Sequence, residues 1–110
     1  MATLFEKIIA RELPADILFE NKRLIAIWDA YPVAPVHLLI IPKKAIPSLG
    51  DMQKEDFPLL SEIGELAQQL AREHGIPDGY RLLTNTGADA GQTIFHLHFH
   101  VIGGRKLGPL

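Results

Sequence analysis

Residues 95–102 read Phe95-His96-Leu97-His98-Phe99-His100-Val101-Ile102, in which imidazole and apolar side chains alternate. Side chains two positions apart in a β-strand point to the same face, so the pattern predicts a strand from Leu97 to Ile102. The apolar face of this strand is expected to pack against the core. Burying three imidazoles without partners would be costly, so we expect the other face, with His96, His98 and His100, to line a cleft.

The rest of the chain predicts an α+β fold built around this strand. Further strands are expected at Ile17 to Glu20, Leu24 to Trp28, Val36 to Ile41 and Tyr80 to Asn85. Apolar residues at helical spacing predict a main helix from about Lys54 to His74, and the spacing of Thr3 and Glu6 fits the capping box of a short N-terminal helix. Short connections between the first three strands favour antiparallel pairing. We therefore expect a single domain over residues 1–110, with an antiparallel five-stranded sheet, one main helix and a short N-terminal helix.

Composition excludes several classes of function. The net charge is 11 − 13 = −2, and the chain contains no cysteine. The charge argues against a protein that binds polymeric nucleic acid, which usually needs a basic patch. The lack of cysteine excludes disulfides, thiolate metal sites and cysteine nucleophiles. No apolar run is long enough to span a membrane and no secretory signal is recognisable, so a cytoplasmic protein without a membrane partner is expected.

Three explanations compete for the histidines: surface residues without a role, a metal site, or catalysis. At about 3.3 Å per residue, His96 and His100 would lie roughly 13 Å apart, too far to share one ion. A metal site would therefore need outside ligands, and His37 is the best candidate. Imidazole can also attack phosphorus or an acyl carbon near neutral pH. Spacing alone leaves metal binding and catalysis open.

The loop before the histidines offers groups that suit an anion. Residues 85–93 contain two amide side chains, two glycines and the hydroxyl of Thr93. Glycines allow backbone N–H groups to approach an anion closely. Such loops are usually plain turns, but the position of this one suggests half of a phosphoester site.

At this point the sequence resembles the histidine triad family, and in particular its Hint-type nucleotide-binding branch. The resemblance rests on the His-x-His-x-His stretch of residues 96–100 and extends over nearly the whole chain. It includes residues 5–9, Asp29 with residues 34–37, residues 41–44, 79–87 and 91–92, and Gly103-Gly104-Arg105.

The resemblance implies a hydrolase that cleaves the P–N bond of purine nucleoside phosphoramidates, such as those of AMP. His98 would attack phosphorus to form a nucleotidyl-histidine, and the backbone carbonyl of His96 would fix its tautomer. His100 would contact the phosphate, with His37 behind it. Thr93 would bind phosphate or assist the leaving group.

The resemblance also implies the nucleotide contacts. Asn85, Gly91, Gln92 and Thr93 would hold the phosphate, and Asp29 would accept hydrogen bonds from the ribose. An apolar group would surround the base: Leu4, Phe5, Ile8, Ile27 and Ala30. A homodimer is expected and a cofactor is not. Ala45 and the lack of cysteine weigh against a structural zinc site. Two alternatives remain: a dinucleotide polyphosphate hydrolase of the same family, and a nucleotide-binding regulatory module with weak catalysis.

Overall fold

The computed structural model describes residues 2–110. These residues form two α-helices, α1 (Leu4–Ile9) and α2 (Pro58–Glu73), and five strands: β1 (Ile17–Glu20), β2 (Leu24–Trp28), β3 (Val36–Pro42), β4 (Tyr80–Leu83) and β5 (Phe99–Gly103). Short 3-10 turns occupy Leu49–Asp51, Lys54–Asp56 and Ala88–Ala90. The predicted α+β class is confirmed.

All five strands belong to one antiparallel sheet in the order β1-β2-β3-β5-β4. β3 is the central strand, and every one of its residues is buried. It pairs with β5 in a register that places Leu39 opposite His100 and His37 opposite Ile102. This pairing brings the two histidines, which lie 63 positions apart in sequence, to the same region of the sheet.

The two faces of the sheet carry separate apolar clusters. One face packs against α2 and includes Leu97, Phe99 and Val101, as the alternating pattern predicted. The other face is smaller and is covered by α1 through Phe5 and Ile8. The capping box of α1 is confirmed, because Glu6 N donates to Thr3 Oγ1 at 3.2 Å and Thr3 N donates to Glu6 Oε1 at 3.0 Å.

The main helix begins later than predicted. Lys54–Asp56 forms a 3-10 turn, and α2 starts only at Pro58. Proline lacks a backbone N–H and is accommodated in the first turn of a helix, so Pro58 separates the two helical segments. The helix ends at Glu73 with His74 as its cap, and Gly75 follows in the left-handed region at φ 75°.

The last two strands are shorter than the sequence predicted. β4 ends at Leu83 instead of Asn85, and β5 begins at Phe99 instead of Leu97. The last paired residues of β4 and β5 are Leu83 and His100, so the residues before Phe99 lie outside the strand pairing. At the other end of β5, a Cβ on Gly103 would lie 2.8 Å from the carbonyl oxygen of Gly79, so this position requires glycine.

Within residues 2–110, no helix combines the length and apolar character needed to cross a membrane.

Candidate active site

A cavity of about 700 Å³ opens on the α1 side of the sheet. It brings together all the residues that the sequence pointed to as nucleotide contacts, from four separate parts of the chain. These lining residues are Leu4, Phe5, Ile8, Ile27, Asp29, Ala30, Asn85, Gly91, Gln92, Thr93, His98 and His100. The walls are mainly apolar near α1, and the polar groups gather at the histidines.

His98 makes two contacts through its ring and one through its backbone. Its Nδ1 lies 2.7 Å from the carbonyl oxygen of His96, its ring meets the edge of Phe5 with centroids 4.8 Å apart, and its own carbonyl accepts a hydrogen bond from Thr84 Oγ1 at 2.7 Å. Since a carbonyl oxygen can only accept, Nδ1 carries the proton. The lone pair of neutral His98 is therefore on Nε2.

A second chain of hydrogen bonds determines the tautomer of His100. The backbone N–H of Val33 donates to His37 Nδ1 at 3.1 Å, so the proton of a neutral His37 is on Nε2. His37 Nε2 lies 2.8 Å from His100 Nδ1 and donates to it. His100 therefore keeps its proton on Nε2. That leaves an N–H donor on a ring that lines the cavity beside His98.

The pKa values of both cavity histidines are lowered, and burial is the main cause. Burial lowers the pKa of His98, and the hydrogen bond to the His96 carbonyl opposes this shift. Burial, followed by the neighbouring His98 and His37, lowers the pKa of His100 to about 4. A neutral imidazole with an available lone pair is the form that can act as a nucleophile.

Asp29 connects the cavity to the buried His37. One carboxylate oxygen accepts from the backbone N–H of Tyr31 at 2.8 Å, and the other lies 3.2 Å from His37 Nε2. The ligand atoms of Asp29, His37 and His100 all lie within 4.8 Å of one another, close enough to hold a metal ion. The close approach of His37 and His100 is also explained without a metal ion, by the hydrogen bonds from Val33 to His37 and from His37 to His100.

For two of the predicted site residues, the side chain is engaged within the protein instead of being available to a ligand. His96 does not face the cleft: its ring is 1% exposed, and its Nε2 donates to the carbonyl oxygen of Pro42 at 2.7 Å. The ring packs against Phe5, as His98 does, with centroids 6.3 Å apart, but it is buried there instead of lining the cavity. The side-chain amide of Gln92 is bound within the protein, accepting from Gly87 N at 2.8 Å and donating to Pro47 O at 2.8 Å and Ile94 O at 3.1 Å. Gln92 therefore orders the loop, and its amide is not free to donate to a phosphate.

Sequence reasoning missed Thr84 and Val33. Thr84 continues the β4–β5 pairing by a side-chain hydrogen bond, one residue beyond the last paired position. Val33 acts through its backbone N–H, for which the side chain carries no signal. For Thr84 a weak signal was available, since it immediately precedes the predicted phosphate contact Asn85.

Comparisons with known proteins agree with this geometry. A family model described as "Scavenger mRNA decapping enzyme C-term binding" matches residues 2–109. An uncharacterized HIT-like protein of Chlamydia muridarum is 52% identical over the whole chain and 87% of its own length. The purine nucleoside phosphoramidase of Escherichia coli K12 is 43% identical over 98% of this chain and 92% of its own length.

Among solved structures, a HIT family hydrolase from Clostridium thermocellum superposes with a TM-score of 0.94 at 47% identity, covering 98% of this chain and 95% of its own. The fold and the relatives named above support a hydrolase. The chain belongs to the histidine triad (HIT) family.

Proposed function

We propose that this protein is a nucleoside phosphoramidase that cleaves the P–N bond of purine nucleoside phosphoramidates through a nucleotidyl intermediate on His98. The observation that carries the proposal is the hydrogen bond from His98 Nδ1 to the His96 carbonyl, which leaves the Nε2 lone pair for attack. The name of the E. coli relative supports the same substrate class.

In the first step, His98 Nε2 forms a bond to phosphorus and the P–N bond breaks. The departing nitrogen takes the electron pair of that bond and one proton. Thr93 lines the same cavity and is the donor in this proposal. His98 retains its Nδ1 proton, so the phosphorylated ring is cationic and is stabilised by the His96 carbonyl that it faces.

In the second step, water attacks phosphorus and the bond to His98 Nε2 breaks. The ring recovers its lone pair as a neutral imidazole, Thr93 regains a proton from the water, and the nucleoside monophosphate leaves. Splitting one displacement into two easier ones is the usual benefit of covalent catalysis. Throughout, the Nε2–H of His100 donates to a phosphoryl oxygen.

Mass spectrometry after rapid acid quench tests the intermediate. With a slowly cleaved adenosine phosphoramidate, we expect a nucleotidyl adduct on the peptide that contains His98. The variant His98→Ala should lose both the adduct and turnover, while it still binds nucleotide. An adduct on His100 instead would overturn the assignment of the nucleophile.

Three further outcomes separate the alternatives. Tight nucleotide binding with neither adduct nor turnover would favour a regulatory module. Faster cleavage of a dinucleotide polyphosphate than of the phosphoramidate would favour the other enzyme class. Activity that is lost on exhaustive chelation and restored by zinc would favour metal at Asp29, His37 and His100.

The homodimer is part of the same proposal. β4 lies at the edge of the sheet, and Leu82 on this strand is 40% exposed. An unpaired edge with an apolar side chain is a natural surface for a second copy. Light scattering after gel filtration should give twice the chain mass, and Leu82→Lys should lower it.

A further inference from the structure

The cavity lining is short of positive charge. Among the residues of the described chain that form its walls, none is lysine or arginine, and two, Asp16 and Asp29, are acidic. The remaining polar side chains on the walls carry hydroxyl, amide, imidazole and indole groups. An anion that enters this cavity meets dipoles and carboxylates.

Four basic side chains form ion pairs outside the cavity. Lys43 pairs with Glu20 at 2.7 Å, Arg23 with Glu62 at 2.7 Å, and Lys44 with Asp56 at 2.5 Å. Arg11 also pairs with Glu20. These ion pairs lie at other parts of the surface, and none of their members lines the cavity.

The histidines do not supply the missing charge. The pKa values of His98 and His100 both lie below the ordinary value, because the rings are partly buried. In its neutral form each ring contributes one N–H dipole. Asp29, which contacts His37 at 3.2 Å, keeps a carboxylate next to this group.

The number of charges on a ligand then decides how well it fits. The cost of removing an ion from water rises with the square of its charge, whereas its attraction to neutral dipoles rises only in proportion to the charge. For a second negative charge, the added desolvation cost therefore exceeds the added attraction to the neutral donors. Repulsion from Asp29 adds to that cost.

We propose, on the basis of the function proposed above, that the cavity selects ligands with a single negative charge at phosphorus and discriminates against phosphate dianions and polyphosphates. A phosphoramidate or a phosphodiester-like group carries one charge. The product nucleoside monophosphate carries two above a second pKa of about 6. Cleavage thus converts a ligand that suits the cavity into one that it releases, and dinucleotide polyphosphates enter poorly.

A charge series of adenosine ligands tests this selection by calorimetry. At about pH 8 the series is AMP with two charges, its phosphate methyl ester with one, and ADP with three. We expect the methyl ester to bind about tenfold more tightly than AMP, as one added charge near a carboxylate implies. ADP should bind more weakly still. Equal or tighter binding of AMP or ADP would overturn the proposal.

A variant isolates the part played by the carboxylate. Asp29→Asn should reduce the ratio of the two dissociation constants, AMP to ester, by about threefold. The ratio is informative because a lost ribose contact weakens both ligands alike. Asp78→Asn, an exposed acid outside the cavity, is the matched control and should leave the ratio unchanged. An unchanged ratio in Asp29→Asn would remove the carboxylate from the explanation.

The two proposals fail separately. A nucleotidyl adduct on His98 together with tight AMP binding would refute charge selection and leave the phosphoramidase intact. Preference for the ester without any adduct would support charge selection and refute the covalent mechanism.

Discussion

Replacing His37 by asparagine should slow the reaction without weakening substrate binding. His37 is 4% exposed and does not line the cavity, so it acts on substrate only through His100. The amide oxygen of asparagine can take the place of Nδ1 and accept from Val33. It cannot donate to His100 from the Nε2 position, so His100 loses the group that determines its tautomer.

The expected size of the effect follows from that one hydrogen bond. His37 Nε2 and His100 Nδ1 are 2.8 Å apart, and a buried acceptor left without its donor costs about 1–3 kcal/mol. At about 1.4 kcal/mol per factor of ten, kcat should fall by between about fivefold and about 150-fold. KM should change little, since the lost contact is not made to substrate.

Glutamine at the same position provides the matched comparison. Its amide nitrogen can occupy the Nε2 position and donate to His100, so His37→Gln should retain kcat within about threefold. Steady-state kinetics give the comparison, and ¹⁵N chemical shifts of His100 report which ring nitrogen is protonated. Equal losses in the two variants, or an unchanged His100 tautomer in His37→Asn, would refute the reasoning.

Three further predictions concern pH, the nucleophile and packing. Because the folded pKa of His100 is about 4 and the unfolded value about 6.5, the unfolded chain binds more protons between these values. Stability to urea should therefore fall as the pH is lowered through that window, and His100→Asn should flatten the dependence. Thr84→Val removes the hydroxyl that holds the His98 carbonyl and should lower kcat about fivefold, with recovery in Thr84→Ser; no difference between the two variants would argue against positioning. Gly103→Ala should cost about 2 kcal/mol of unfolding free energy by overpacking, whereas Gly64→Ala, where a Cβ meets open space, should not destabilise the protein.

Residues whose neighbours are close in sequence were largely predictable. The capping box of α1, proline at the start of α2 and the left-handed Gly75 all depend on a few consecutive residues, and each is present in the structure. The alternating residues of β5 also identified which apolar side chains enter the core. Local patterns predict local geometry because the backbone has few alternatives over such short distances.

The details of the site depend on contacts between distant segments, which a pattern does not describe. Period-two alternation correctly separates His96 from Leu97, but it does not show that the His96 ring is buried against Phe5 and donates to the carbonyl oxygen of Pro42. Gln92 has the right chemistry for a phosphate, yet three backbone groups bind its amide first. Whether such a side chain binds a ligand or other groups of the protein depends on the folded structure, which the sequence pattern does not show.

The residues of β5 contribute both to the folded core and to the cavity. Successive residues of the same short segment serve the apolar core and the cavity in turn, with Phe99 and Val101 on one side and His100 on the other. A single-residue insertion or deletion before Phe99 would exchange the two sets, putting imidazoles into the core and apolar groups into the site. Evolution can therefore vary this segment by substitution but not by length, and mutational tolerance should show an abrupt loss of insertions and deletions there.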